Sequence, residues 1–484
     1  MAAQADKCRA QSDRAELNLQ KQISERSGKM GQVDFKNGGI LRCILQSALP
    51  MLAAQILNLL YNIVDRIYIA RIPGVGTAAI GAVGLCFPVI IMITAFTNLY
   101  GTGGAPLFSI ASGRGDSARA ERLMNTSFRL ELTTAVILFA AGQLFCRPLL
   151  ILFGASEQAL SFAIPYLRIY LAGNIFSMVA AGMNPFINAQ GFPLVGMTTV
   201  TLGAAANIAL DPLFIFSFGL GIRGAAIATV LSQALSAVFV MRFLTGKRAV
   251  YRLVRYPFRE FLHERRMILD IVGLGISSFV MQFTNSLVSI ACNGVLSDVG
   301  GDTYISVMTI ISSVRQIMDT PVMSLTEGAS PFLSFNYGAR SPRRVKKAIA
   351  IMTVMAFSYT LLAWIFIVCR PEMIISVFTS DRTLFKDAVP ALHLYFFAFV
   401  FQSFQYAGQT AFKALGKKKH NVFFSLLRKV VIVIPLTYIL PYVFHLGTDG
   451  VFMAEPVSNV IGGLACFITM LLTVLPELKR MEES

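Results

Sequence analysis

Long apolar runs separated by short polar or glycine-rich connections recur from residue 40 to residue 475. Each run reaches the roughly 20 residues that a helix needs to cross a bilayer. The pattern predicts twelve membrane-spanning helices, near 40–70, 77–107, 126–150, 161–189, 194–218 and 223–245, then 267–297, 303–334, 347–369, 385–415, 422–444 and 450–475. The connections alternate in character. RGDSARAER, GKRAVYRLVRYPFREFLHERR, GARSPRRVKK and LGKKKH are basic, whereas ARIPGVG, FGASEQ, FGLGIRG, SDVGGD, TSDRT and HLGTDG are shorter, glycine-rich and less basic. Lys and Arg concentrate on the cytoplasmic side of membrane proteins, so the basic connections and both termini are expected in the cytoplasm.

The chain also repeats itself. Gln55 and Asn58 match Gln282 and Asn285 at an offset of 227, and Gly113, Pro165 and Gly191 match Gly338, Pro390 and Gly416 at 225. Gly221, Gly224, Ala228 and Ser232 match Gly447, Gly450, Ala454 and Ser458 at 226. An offset this stable over a whole half implies two pseudo-symmetric six-helix lobes. With six spans each, both lobes enter the membrane from the same side, so their two-fold axis runs along the membrane normal. The expected organisation is a polar cytosolic tail over 1–35, a first lobe over 36–245, a basic cytosolic linker over 246–266, a second lobe over 267–476 and a C-terminal tail over 477–484.

Against this apolar background a few polar side chains stand out. In the first span Gln55, Asn58, Asn62 and Asp65 are spaced 3, 4 and 3, which keeps them within an arc of about 80° on a helix. The fifth span carries Asn207 and Asp211 at i, i+4, with Pro212 next. Interhelical hydrogen bonding accounts for the amides. It does not account for Asp65 or Asp211, because a carboxylate at membrane depth needs a cation, a proton or a strong set of donors. Arg66 points about 100° away from Asp65 and is no natural partner. Asp65 precedes the Pro73–Gly74 turn by eight residues, Asp211 precedes Gly219 by eight, and Thr229 follows Gly221 by eight. At 1.5 Å per residue all three lie about 12 Å below one face of the membrane. Two carboxylates, an amide and a hydroxyl at one depth suit a proton or a hard cation such as Na⁺. Pro212 removes a backbone donor and is expected to kink or break the fifth span.

Composition narrows the alternatives. Hydrophobic residues are 55% of the 484 and charged residues 14%, against about 25% charged in soluble proteins. The formal charge of +16 falls almost entirely in the connections, which fits membrane orientation and excludes nucleic acid as a partner. The seven cysteines are scattered, with neither CxxC spacing nor a metal-ligand pattern. No GxxxxGK[ST] motif is present, so the chain is not expected to hydrolyse ATP. Nor is there a nucleophile or paired His/Glu motif, and an enzyme is not expected. The polar segment 1–35 lacks the apolar core of a signal peptide and reads as a tail with at most a short surface helix.

LPMLAAQILNLLYNIVDRIYIARIPG, NAQGFP, ANIALDPLFIF, GIRGAAIATVLSQ and PFLSFNYGAR resemble the first, fourth, fifth, sixth and eighth helices of the multidrug and toxic compound extrusion (MATE) family. YNIVDRIYI is most similar to its bacterial MepA-like branch. The resemblance covers residues 40–470. It implies a V-shaped fold and a monomeric antiporter of the bacterial plasma membrane that exchanges H⁺ or Na⁺ for drug-like, often cationic, organic compounds. Lipids and small substrates would be its partners, and it would need no cofactor beyond the coupling ion. The family's cation site carries over onto Asp65, Asn207, Asp211 and Thr229. Gln55, Asn58, Asn62, Gln282 and Asn285 would then line a polar stripe.

The eighth span, RQIMDTPVMSLTEGASPF, departs from the family pattern, with Glu327 where relatives place glutamine. Glu327 and Asp319 are therefore candidates for a second site, although Arg315 lies four residues before Asp319 and predicts an ordinary ion pair. Met178 and Met183 are candidates for an adaptable drug cavity. The alternative reading is a lipid-linked saccharide flippase of similar two-lobe architecture. Such a protein would line its cavity with several basic residues, and mid-span candidates here are few, namely Arg168 and Arg315.

Overall fold

The computed structural model describes residues 31–254, 264–378 and 382–483. The first half comprises α1 (Ile40–Ala70), α2 (Gly76–Gly113), α3 (Ser117–Leu152), α4 (Glu157–Ala172), α5 (Asn174–Ala189), α6 (Pro193–Pro212) and α7 (Gly221–Thr245). The second comprises α8 (Arg265–Val299), α9 (Gly301–Gly338), α10 (Pro342–Cys369), a short α11 (Pro371–Ser376), α12 (Arg382–Phe396), α13 (Gln402–Ala414), α14 (Lys418–Leu426), α15 (Ile434–Tyr438) and α16 (Gly447–Glu483). Side-chain caps fix where some of these begin. The Asp116 carboxylate accepts from Arg119 N at 3.0 Å to start α3, and Ser156 Oγ accepts from Ala159 N at 3.2 Å to start α4.

Among the described residues nine helices are long and apolar enough to cross a membrane, and two bent pairs bring the number to eleven. The twelfth expected span is α9. Its 38 residues extend about 57 Å at 1.5 Å per residue, but Arg315, Asp319 and Glu327 lower its hydropathy. The two bent pairs are the fourth and tenth expected spans. The fourth turns by 53° between α4 and α5. Gly173 sits at that bend against the Val230 side chain, where a Cβ would collide. The tenth turns by 40° just after α12. At the fifth span the chain does not break after Pro212. It widens into a π-helical turn over Leu213–Ser217, which reaccommodates the donor that proline lacks. At an offset of 226 the same device recurs as a π-helical turn over Ile439–Val443.

The two halves meet along α1 and α2 of the first and α8 and α9 of the second. Gly113 lies against the Phe335 backbone and Gly338 against the Ile110 backbone. Gly103 likewise faces Gly275, and Gly328 faces Ala48. These pairs interchange under the repeat offsets, so the interface itself obeys the pseudo-two-fold. A Cβ at Gly113 or Gly338 would enter the opposing backbone, which explains glycine there. All four contacts lie toward the end carrying the basic connections. Thr102 Oγ1 adds a hydrogen bond to Ser278 Oγ at 2.9 Å across the interface.

Separate apolar cores fill the lobes, among them Met178, Tyr166 and Leu167 in the first and Ile311, Phe396 and Phe452 in the second. Large apolar side chains such as Leu144, Leu152 and Leu472 are 70–77% exposed, as lipid-facing residues of a membrane bundle are. The expected lobe boundaries need two adjustments. Val33, Phe35, Cys43 and Ile44 pack into a second-half core with Phe332 and Val345. Arg344 fastens this strap by donating to Phe35 O at 3.2 Å and Gly38 O at 2.7 Å. The end of the expected tail is thus docked, and residues 1–30, where at most a short surface helix was expected, lie outside the described residues. At the other terminus α16 continues to Glu483, through the segment expected as a tail.

Candidate cation site and its counterpart in the second half

Three helices bring the first-half cluster together. α1 supplies Asp65, α6 supplies Asn207 and Asp211, and α7 supplies Thr229; α1 packs on α6 and α6 on α7. Asn207 Nδ2 donates to Asp211 Oδ1 at 3.3 Å and to Thr229 Oγ1 at 3.4 Å. Thr229 Oγ1 in turn donates to Ala225 O at 3.0 Å, which turns its lone pairs toward the cluster. Asp65 and Asp211 approach within hydrogen-bonding reach of one another. Asp211 is fully buried and Asn207 is 2% exposed. Asp65 Oδ1, Asp211 Oδ2 and Asn207 Oδ1 are all buried with no donor among the described residues. Two carboxylates and an amide oxygen converging without a donor form the set that a proton or a hard cation satisfies. Arg66 lies over the Phe87 ring at 5.7 Å instead of pairing with Asp65.

The rest of the predicted stripe does not join this cluster. Asn62 Nδ2 donates to Asn58 O at 2.6 Å, an exposed local bond on α1, and Gln55 is exposed. In the second half Gln282 is half-buried, while exposed Asn285 lines a cavity. Met178 and Met183 are fully buried in first-half cores and line neither of the two cavities described below, contrary to expectation.

Under the repeat offsets Asp65 falls on Cys292, Asp211 on Thr437 and Thr229 on Glu455. The equivalence is geometric as well, since Cys292 Sγ and Thr437 Oγ1 lie 3.9 Å apart. Where the first half has two acids, the second therefore has a thiol and a hydroxyl, with its acid moved to the Thr229 position. That acid is fully paired. Glu455 Oε1 accepts from Arg315 at 2.7 Å, Lys429 at 2.9 Å and Arg428 at 3.3 Å. Arg315 also donates to Asp319 Oδ2 at 3.3 Å and to Tyr395 Oη at 2.7 Å. Gln402 donates to both Asp319 oxygens at 3.1 and 3.2 Å. Asp319 is thus bound in the ion pair its spacing predicted.

The basic members of this network correct the expectation that positive charge stays in the connections. Arg428 and Lys429 sit inside the eleventh span, on a π-helical turn over Leu427–Val433. This turn has no counterpart in the first half. Arg428 and Lys429 were legible as the only charges in the run 422–444, and Glu455 as the only one in 450–475. So was Glu131 of α3, the one acid between residues 126 and 150. Glu131 is fully buried against Gly182, and neither of its oxygens has a donor among the described residues.

Two cavities adjoin the second half. One of about 140 Å³ lies between the lobes and is lined by Met51, Thr102, Ser278, Glu327 and Lys413, among others. The other, of about 250 Å³, reaches Arg315, Asp319, Arg428 and Lys429. They share Met281, Met323, Tyr406, Gln409 and Ser425, so the two chambers are neighbours. Glu327 forms no ion pair or hydrogen bond among the described residues and stands on the wall of the first chamber.

Comparison with known proteins agrees with this architecture. The MatE family model matches residues 50–213 and 277–439, one segment in each half. The chain is 23% identical over 441 residues to "Multidrug export protein MepA" of Staphylococcus haemolyticus, covering 90% of this chain and 94% of that protein. It is 22% identical over 444 residues to the Staphylococcus aureus protein of the same name, covering 90% and 95%. A crystal structure of MATE in the bent conformation superposes with a TM-score of 0.86 at 25% identity, covering 93% of this chain and 99% of that one. The outward-facing structure of a multidrug resistance MATE family transporter superposes with a TM-score of 0.84 at 24% identity, covering 94% and 99%. Matched in both repeats and over nearly its whole membrane region, the chain belongs to the MatE family.

Proposed function

We propose that this protein is a secondary active antiporter of the bacterial plasma membrane, exchanging H⁺ or Na⁺ for drug-like, often cationic, organic compounds by alternating access. The observation that carries the reading is the Asp65–Asp211 pair, in which Asp65 Oδ1 and Asp211 Oδ2, like Asn207 Oδ1 beside them, are buried without a donor among the described residues. A carboxylate pair inside a bundle is expensive unless an exchangeable cation visits it. An ion that binds one arrangement of α1, α6 and α7 better than another shifts the inward–outward equilibrium by that difference. The names of the staphylococcal relatives support export of drugs. The basic connections support cytoplasmic termini. A flippase of the same architecture is not favoured, because none of these relatives is named as one. No reaction is assigned to the chain, which moves its substrates unchanged.

Ethidium transport by the full chain in proteoliposomes, with an imposed H⁺ or Na⁺ gradient, tests the reading. Labelling of a single cysteine at Gln158 from outside reports orientation in the same vesicles. One of the two gradients should drive accumulation in wild type. Asp65→Asn and Asp211→Asn should insert normally and lose gradient-driven transport by roughly a hundredfold, about 2.8 kcal/mol at 1.4 kcal/mol per decade. Transport indifferent to both gradients, or undiminished in the variants, would contradict it.

A further inference from the structure

The second-half chamber gathers basic side chains on its wall. Arg315, Arg428 and Lys429 all line it, accompanied by one carboxylate, Asp319. Glu455 lies behind them, 3% exposed and absent from the chamber wall. The adjoining chamber adds Glu327 and Lys413. Arg428 has five N–H donors and gives one to Asn459 Oδ1 at 2.8 Å and one to Glu455 Oε1 at 3.3 Å, so donors remain for a ligand. The π-helical turn that carries Arg428 and Lys429 is the feature the first half lacks, and such turns are frequent at functional sites. Buried donors of a guanidinium left without an acceptor are costly. Around the charge, Met281, Met308 and Met323 supply a deformable apolar wall.

We propose that this chamber binds the carboxylate of an amphiphilic organic substrate, held by Arg428 and Lys429 with its apolar body against the methionines. The inference rests on the reading of the chain as an exporter of organic compounds and names a substrate class for it.

Equilibrium binding to the purified full chain in detergent separates this from transport. Two xanthene dyes serve as probes, rhodamine B with a free carboxylate and rhodamine 6G with that group esterified. Arg428→Gln leaves Glu455 paired with Arg315 and Lys429, so the network persists. It should weaken rhodamine B about tenfold, the size of a charge-assisted hydrogen bond, and leave rhodamine 6G within about twofold, a change too small to signify a lost charged contact. Arg428→Lys, which restores the charge, should recover most of the rhodamine B affinity. Equal weakening of both dyes, no change in either, or no saturable rhodamine B binding to wild type would each overturn the proposal. Because binding is read without a gradient, failure of ion coupling in proteoliposomes leaves this result interpretable, and the converse holds.

Discussion

At equivalent positions of its two halves this protein places opposite electrostatic solutions. In the first half Asp65 and Asp211 face each other with Asn207 and Thr229, and three of their oxygens have no donor. In the second half Cys292 and Thr437 occupy the places of the two acids, and Glu455, at the place of Thr229, is held by Arg315, Arg428 and Lys429. The first cluster leaves buried oxygens without a donor among the described residues, whereas the second pairs its acid with basic side chains of the chain itself. Under the proposed function, one lobe of a duplicated fold would respond to an ion while the same depth of the other is fixed by protein charges. The difference teaches that pseudo-symmetry of backbone, down to matching π-helical turns at Leu213–Ser217 and Ile439–Val443, does not imply symmetry of mechanism.

The largest expected effect of breaking the comparison lies in the second half. Glu455→Gln removes the carboxylate partner of Arg428 and Lys429 and leaves Arg315 only Asp319, and removing one partner of a buried ion pair costs about 3–5 kcal/mol. Thermal unfolding in detergent should therefore fall markedly for Glu455→Gln, whereas Asp211→Asn should unfold near wild type. Equal stability of Glu455→Gln and wild type would mean that the second-half network is not the fixed partner of the pair.

A smaller effect belongs to Glu327, on the wall of the chamber between the lobes. Glu327→Gln removes a charge without changing shape. Rhodamine 6G affinity should drop about tenfold, near 1.4 kcal/mol, while a neutral dye such as Nile red binds as before. Unchanged rhodamine 6G binding would make Glu327 a solvated wall residue.

Much of this was legible in the chain because a membrane imposes simple rules. Apolar runs, the 225–227 offset and glycines at Gly113 and Gly338 reveal twelve helices in two related halves. Equal distances from three turns placed Asp65, Asp211 and Thr229 together before any coordinates, and Asn207 followed at i−4. What the pattern did not disclose was how helices deviate from straight rods. The bend at Gly173 depends on Val230 of a helix distant in sequence. The widening after Pro212 depends on backbone repair that a proline alone does not announce. Glu131, Arg428, Lys429 and Glu455 were visible as isolated charges in apolar runs. They lacked the polar stripe that surrounds Asp65, and their pairing is long-range: Glu455 meets Arg315 across helices 140 residues apart in sequence. The methionines failed for the reverse reason, since Met178 and Met183 share the composition of cavity residues but pack in cores.

The central claim is that the exchangeable ion sits on the first-half pair and nowhere in the second-half network. Equilibrium binding of ²²Na⁺ to the purified chain, paired with proton release on ethidium binding in weak buffer, measures that ion directly. Wild type should bind Na⁺ or release protons, and the Asp65→Asn, Asp211→Asn double variant should do neither while still binding ethidium. A double variant that binds Na⁺ or releases protons as wild type does would contradict the account.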